Sequence, residues 1–190
     1  HSTTILPAVL MYLEGCEPND KTFTMAVRCV NAWAGISPAT LVTAVAKKLL
    51  QLLLTSTAAV RSAGSASQEQ EDAASGWMSI LMAVVPYLPQ QMVHILYKTI
   101  NPILSVHESI GSQKRAYSIL DAVLTIHNEV LYEKEPAASI LSVVCDSLMS
   151  CHVSARNMRL RCMESLVKSM AGIKNEDDSD SDNDDDDASI

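Results

Sequence analysis

The sequence lacks most of the features from which active sites are built. It contains six glycines in 190 residues, and none of them belongs to a G-x-x-x-x-G-K-S/T or G-x-G-x-x-G pattern, the loops that cradle phosphates. No cysteine and histidine are placed so as to mark an activated nucleophile and its base. We therefore predict that the chain is not an enzyme, has no small-molecule substrate and holds no cofactor.

Cysteine is scarce and irregularly spaced. The five cysteines include no C-x-x-C pair and are odd in number, whereas disulfide frameworks are typical of short, loop-rich secreted chains. Zinc sites favour closely spaced ligand pairs, which argues against a metal site built from Cys145, Cys151, His152 and Cys162. We predict reduced, buried thiols and an intracellular protein.

Long apolar runs are also missing. Leu49–Leu54 is far shorter than the roughly 18–20 residues that span a membrane, and it follows two lysines. We predict no membrane partner. The chain begins with His1 rather than methionine, and its apolar first segment, 4–14, is expected to need a further helix to pack against. We therefore expect a piece of a longer protein.

Acidic residues are concentrated at the C-terminal end. The formal net charge is −8, but residues 176–187 alone contain nine acidic side chains, which leaves the rest of the chain close to neutral. Because like charges repel at this density, the sequence predicts a disordered acidic tail at 173–190. Ser179 and Ser181 each have an acid three residues later, a pattern that suggests phosphorylation by an acid-directed kinase.

What the sequence does contain is a recurrence of helix pairs. Pro38, Pro89 and Pro136 each open a second helix, after apolar helical runs at 21–34, 74–87 and 113–132, and a fourth run follows at 155–171. These first helices begin at spacings of about 53, 39 and 42 residues, close to the roughly 40–47 of HEAT and armadillo repeats. The sequence predicts an all-α fold, an α-solenoid of HEAT/armadillo-like hairpins over 1–172, with a flexible loop at 57–72.

The helical stripes also predict which residues form the core. Tyr117, Leu120 and Leu124 are expected between adjacent repeats, as are Leu96 and Ile100 of the preceding pair. Ser37 is expected to cap the helix that follows it. In the last helix the predicted buried stripe is Met158, the stem of Arg161, Cys162, Leu166 and Met170.

The basic residues form the one candidate binding surface. Five cations open two equivalent helices, whose N-terminal ends should share one edge of the stack; they are Lys114, Arg115, Arg156, Arg159 and Arg161. Together they could form a ridge that contacts nucleic-acid phosphates or an acidic partner. The alternative is ordinary solvated helix surface, with side-chain stems covering the core.

Four segments resemble the ribosomal RNA-processing protein 12 family. Leu96-Tyr97-Lys98-Thr99-Ile100-Asn101-Pro102-Ile103-Leu104 is similar to its Leu-Tyr-x-x-Ile-x-Pro-x-Leu segment. Residues 113–120 are similar to a Gln-Lys-basic-Ala-Tyr-x-x-Leu helix start, and residues 36–42 resemble a helix entry of that family. Asp146-Ser147-Leu148 followed by 156–167 resembles a basic helix with Arg-Leu-x-Cys. The resemblance spans roughly 24–170 in order, but includes neither the segment 57–72 nor the tail.

The resemblance implies a large, non-enzymatic HEAT-repeat factor of the nucleolus and nucleus, and shuttling to the cytoplasm is compatible with it. Such factors join the small-subunit processome and pre-40S particles, and serve pre-rRNA processing and pre-ribosome export. The implied partners are pre-ribosomal particle proteins, the pre-rRNA backbone and nuclear transport factors. The rival hypothesis is a nuclear transport receptor or adaptor segment of the importin-β-like HEAT type, which would share the fold and charge balance.

Overall fold

The computed structural model describes residues 21–63, 68–104, 110–146 and 151–171, and shows Thr4, Ala8 and Met11 in helical conformation. Over these ranges all regular structure is helical and no strand occurs, which confirms the all-α prediction for this part of the chain. The α-helices are α1 Lys21–Ala34, α2 Ala39–Ala63, α3 Gln68–Val84, α4 Gln90–Ile100, α5 Ile110–Ile126, α6 Asn128–Tyr132, α7 Ala137–Asp146 and α8 Val153–Met170. The rest of the predicted first helix, 4–14, and the predicted tail, 173–190, lie outside the described residues.

Helices α1, α3, α5 and α8 contact one another in series, α1 with α3, α3 with α5 and α5 with α8. The other three long helices pack against this series: α2 on α3, α4 on α5 and α7 on α8, and α4 also contacts α2. Because each contact buries an apolar stripe, the core runs continuously from Phe23 in α1 to Leu166 in α8.

Side-chain contacts show that α3, α5 and α8 run in the same direction. Arg115 of α5 reaches Ser79 of α3, 36 residues earlier, and further along the same helix pair His127 reaches Val85, 42 residues earlier. Between α5 and α8 the corresponding separations are 39 residues at Gln113 and 45 at Tyr117. These separations are close to the repeat spacings expected from the sequence.

Prolines mark the helix boundaries. Each stands one residue before its helix, whereas it was expected to be the first helical residue. Pro38, Pro89 and Pro136 precede the first residues of α2, α4 and α7, and their carbonyls accept the first helical N–H groups from Leu41, Met92 and Ser139 at 2.9, 2.8 and 2.9 Å. They therefore occupy the cap position. The predicted Ser37 cap is corrected, because its hydroxyl instead donates to the Trp33 carbonyl at 2.6 Å and so closes the end of α1.

The predicted flexible loop at 57–72 is wrong for the part that the structure describes. Helix α2 continues to Ala63 and α3 begins at Gln68, so residues 57–63 and 68–72 are helical. The segment loses large apolar residues, but its Ala, Gln and Glu residues are good helix formers. Low hydrophobicity therefore does not indicate a loop at 57–63 and 68–72.

Burial confirms the predicted core residues of α4 and α5 and corrects the last helix. Tyr117, Leu120, Leu96 and Ile100 are fully buried, and Leu124 is nearly so. Met170, predicted to be buried, is 53 % exposed. Cys162 and Leu166 are buried as predicted and Met158 is partly buried, but Ala155 and Arg159 complete the buried stripe of α8. Cys29 is exposed, contrary to the prediction of buried thiols.

Candidate partner-binding surface

The predicted basic ridge is divided by the structure. Because α5 and α8 lie side by side in parallel, their N-terminal ends do share an edge, and Lys114 and Arg156 are both exposed there. The other three cations are engaged by the fold in different ways. Lys114 and Arg156 thus present their charges to solvent; Arg161 is also exposed, but its charge lies beside an aspartate.

Arg115 links α3 to α5. Its Nε donates to Ser79 Oγ at 2.8 Å, and its Nη1 lies 3.5 Å from the Gly111 carbonyl oxygen of its own helix. The side chain is half-buried between the two helices. Arg115 therefore fixes the register of adjacent helices and offers little of its guanidinium to a partner.

Arg159 is corrected from a surface residue to a core residue. Its exposure is 3 %, and it shares one face of α8 with Ala155, Cys162 and Leu166, at spacings of three and four residues. The stripe of small and apolar residues around position 159 was visible in the sequence. The long aliphatic stem of an arginine fits such a stripe. The burial of Arg159 was not predicted because an arginine was expected to face solvent.

Arg161 forms an ion pair with Asp121 across α5 and α8. Its Nε lies 3.5 Å from Asp121 Oδ2; the arginine side chain is 63 % exposed and the aspartate 16 %. Burial raises the pKa of the Asp121 carboxyl above its ordinary value, Arg161 opposes the rise, and Glu164 adds to it. The carboxylate partly neutralises the charge of Arg161 as a binding group.

We expect Asp121→Asn to stabilise the protein more at neutral pH than at acidic pH. A carboxyl whose pKa is raised by folding favours the folded state while protonated, and this contribution is lost as the pH rises through the raised pKa. Urea unfolding of wild type and variant at about pH 3, below the ordinary pKa of an aspartate, and at neutral pH measures the difference. The single variant Arg161→Gln, which keeps Asp121, should show a free energy of unfolding that depends more steeply on pH than that of wild type. If Asp121→Asn is less stable than wild type at neutral pH, the attraction between Arg161 and the Asp121 carboxylate outweighs the cost of burying that carboxylate.

A buried polar joint, which the sequence did not reveal, connects three elements. Gln113 is 2 % exposed; its Nε2 donates to the Leu104 carbonyl at 3.3 Å, and its Oε1 accepts from the His152 backbone N–H at 3.1 Å. The Tyr117 hydroxyl donates to the same Leu104 carbonyl at 3.4 Å, and the Cys162 thiol donates to the Tyr117 carbonyl at 3.3 Å. The end of the turn Asn101–Leu104, the start of α5 and the start of α8 are thereby fixed to one another.

Two histidines also have structural roles. His152 is the cap of α8, because the Ser154 N–H donates to its Nδ1 at 3.2 Å. His94 is 7 % exposed, and neither ring nitrogen has a hydrogen-bond partner within the described structure. Burying this imidazole without a hydrogen-bond partner costs free energy in the packing of α4.

The Cys162 thiol is a poor nucleophile. Burial, with the nearby Asp121 charge as a second cause, raises the pKa of the Cys162 thiol far above its ordinary value, so the thiolate is disfavoured.

Within the described ranges no three His, Cys, Asp or Glu residues are grouped so that they could hold a metal ion. Over the same ranges, none of the helices has the length and apolarity to cross a bilayer. Ser179 and Ser181 lie outside the described residues.

Comparison of the chain with protein-family models, curated proteins and solved structures gave no match.

Proposed function

We propose that this chain is a segment of a non-enzymatic scaffold factor in ribosome biogenesis, acting in small-subunit precursor assembly. The observation that carries the proposal is the order of its family-like segments. Residues 36–42, 96–104, 113–120 and the pair 146–148 and 156–167 follow one another as they do in the ribosomal RNA-processing protein 12 family. Single segments are short, but four in register are a more specific pattern than any one of them.

The proposed architecture is an α-solenoid of HEAT-like helix pairs. The packing of α1 on α3, α3 on α5 and α5 on α8 supports it, since solenoid repeats contact only their neighbours. The contact separations of 36 and 42 residues, then 39 and 45, support it further. A stack with this period leaves an extended outer surface on which partners can be held.

The family-like residues occupy the joint between repeats. In the segment 96–104, Leu96, Tyr97, Ile100 and Leu104 are buried, and α4 ends at Ile100, just before Pro102. In the segment 113–120, Gln113 and Tyr117 both bond to the Leu104 carbonyl. These motifs therefore have a structural reason: they set the angle between successive helix pairs, on which the shape of a scaffold depends.

The proposed mechanism is surface presentation. The stacked helices would hold proteins of the pre-ribosomal particle and the pre-rRNA backbone in a fixed arrangement, in the nucleolus and nucleus, without catalysis. Lys114 and Arg156 are the exposed cations of the predicted ridge outside the Arg161–Asp121 ion pair, and they are the two proposed to meet an RNA phosphate or an acidic protein surface at that edge.

Affinity purification of the full chain from cells, followed by identification of the bound RNA and proteins, tests the function. We expect small-subunit rRNA precursors and their assembly factors. Recovery of nuclear transport factors and their cargo without precursor rRNA would favour the transport-receptor hypothesis instead, and recovery of neither class would refute both.

We expect Lys114→Glu/Arg156→Glu to weaken co-sedimentation with pre-ribosomal particles. Both side chains are exposed, so the double variant should keep its helix content, and reversing two charges removes about two phosphate contacts and their counterion release. The matched control is Lys134→Glu/Lys168→Glu, which reverses two exposed charges elsewhere. Equal co-sedimentation of wild type and both variants would remove the ridge from the proposed function.

A further inference from the structure

Helix α8 carries an apolar row on its solvent side. Val153, Leu160 and Val167 are 66, 58 and 53 % exposed, and they follow one another at intervals of seven residues. Seven residues make nearly two full turns, so the three side chains lie in one row along the helix. We call these three residues the outer row of α8. At 1.5 Å per residue it is about 21 Å long.

The spacing of the outer row is that of a coiled-coil seam. The residues three positions after its members are Arg156, Met163 and Met170. Together the six residues fill the two apolar positions of successive heptads, and Arg156 is the one polar residue among them. Arg156 and Met170 are exposed, and Met163 is partly buried. A seam with this period is suited to lengthwise packing against another helix.

The buried faces of α5 and α8 correspond residue by residue. Each residue of the buried stripe of α8 has a buried counterpart 42 positions earlier, in α5. The pairs are Gln113 and Ala155, Tyr117 and Arg159, Leu120 and Cys162, and Leu124 and Leu166. The same offset therefore identifies the residues of α5 that stand where α8 has its outer row.

In α5 these positions hold small or polar residues, namely Gly111, Ser118 and Thr125. The Ser118 and Thr125 hydroxyls donate to carbonyls of their own helix, those of Lys114 and Asp121, at 3.0 and 2.8 Å. Thr125 is exposed although α5 contacts both α3 and α8. Packing between neighbouring helices thus leaves this face uncovered, and stacking does not explain why α8 has valine and leucine there.

The charges beside the outer row suit a second copy of α8 that runs in the opposite direction. If Leu160 faces Leu160 of the copy, Val153 lies opposite Val167. Arg156 then lies level with Glu164, because each stands four residues from Leu160. Both charged side chains are exposed, and the two-fold symmetry forms the pair twice. Glu164 also pairs with Lys168 of its own helix at 3.0 Å, and a carboxylate has room for both donors.

The antiparallel direction also keeps like charges apart. The sequence after α8 contains nine acidic residues and no basic residue at 176–187. A parallel pair would bring the C-terminal ends of the two helices together. In an antiparallel pair these ends are about 27 Å apart, the length of an 18-residue helix. That separation is about three Debye lengths at physiological salt.

We propose that the outer row of α8 binds a second copy of this chain, in an antiparallel α8–α8 pair centred on Leu160. The interface is isologous, so each residue acts twice. One helix face buries less than the roughly 800 Å² per partner of a standard interface, and the dimer is accordingly weak, with a micromolar or higher dissociation constant. The inference does not depend on the proposed function, although Arg156 belongs to both surfaces.

The test is analytical ultracentrifugation of the full chain at physiological salt. Concentrations from about 10 μM to about 1 mM bracket the expected affinity, and wild type should pass from monomer to dimer over this range. Leu160→Glu should weaken dimerisation by about 10-fold or more, because it sets two carboxylates against each other in an apolar centre.

Exchange of the two charges tests the direction of the pair. Arg156→Glu and Glu164→Arg should each weaken dimerisation by about 5-fold or more, because each replaces two attractive pairs with two repulsive ones. The double variant Arg156→Glu/Glu164→Arg should return to within about 3-fold of wild type. The exchange also separates the two roles of Arg156, since it restores pairing without restoring a cation at position 156 for an RNA phosphate.

The matched control is Ile95→Glu, which makes the same apolar-to-acidic change at a residue of α4 that is 48 % exposed. It should dimerise as wild type does. Equal weakening by Ile95→Glu and Leu160→Glu would show general charge repulsion and overturn the proposal, as would a double variant that dimerises no better than the single ones. A chain that stays monomeric throughout would also overturn it and leave the outer row to a helix of a different protein. Circular dichroism checks that each variant keeps its helix content.

Discussion

Leu120→Ala should lower the free energy of unfolding by about 2–5 kcal/mol, the range for truncating a fully buried leucine. Leu120 is fully buried in α5, the helix that contacts α3, α4 and α8. A cavity at this position cannot collapse easily, because neighbours on several sides are held by other contacts. Urea denaturation with circular dichroism, fitted at constant slope, measures the change.

The matched control for this prediction is Leu160→Ala. Leu160 is also a helical leucine, but it is 58 % exposed on α8, so its truncation removes little buried surface and should change stability by less than about 0.5 kcal/mol. If both variants unfold at the same denaturant concentration, α5 does not present Leu120 to the core. That result would contradict the packing of α5 against its neighbours, and with it the joint between helix pairs.

The helices and most of the core could be predicted from the sequence because two local signals agree. Apolar residues recur with helical spacing, and prolines stand where a second helix begins. Tyr117, Leu120 and Ile100 follow from this pattern alone. The segment 57–72 could not be predicted in this way, because a polar, alanine-rich stretch is compatible with an exposed helix as well as with a loop.

The binding surface was less predictable because a charged side chain has two ways to satisfy its environment. Sequence position suggests where the Cα of Arg159 lies, but the choice between solvent and core depends on neighbours that are distant in sequence. Arg115 meets Ser79 and Arg161 meets Asp121 only after the helices have packed. The sequence therefore identifies the cations, whereas tertiary contacts decide which of them remain available to a partner.

Gln113→Leu should destabilise the protein although it replaces a buried polar side chain with an apolar one of similar size. Gln113 satisfies the Leu104 carbonyl and the His152 N–H, and each buried group left unpaired costs about 1–3 kcal/mol. The Tyr117 hydroxyl also bonds to the Leu104 carbonyl, at 3.4 Å, so the larger share of the loss should fall on the start of α8. Hydrogen exchange should then rise at the first turn of α8 more than at the centre of α5.

Gln91→Leu is the control for Gln113→Leu, since Gln91 is an exposed glutamine on α4 and its replacement should leave unfolding nearly unchanged. Equal stability of the Gln113 variant and wild type would mean that water or a shifted backbone satisfies both groups. The joint would then not depend on this side chain. A loss confined to Gln113→Leu, with faster exchange at α8, would identify one glutamine as the residue that holds the end of one helix pair to the start of the next. In the proposed solenoid, this contact would hold successive helix pairs in a fixed arrangement.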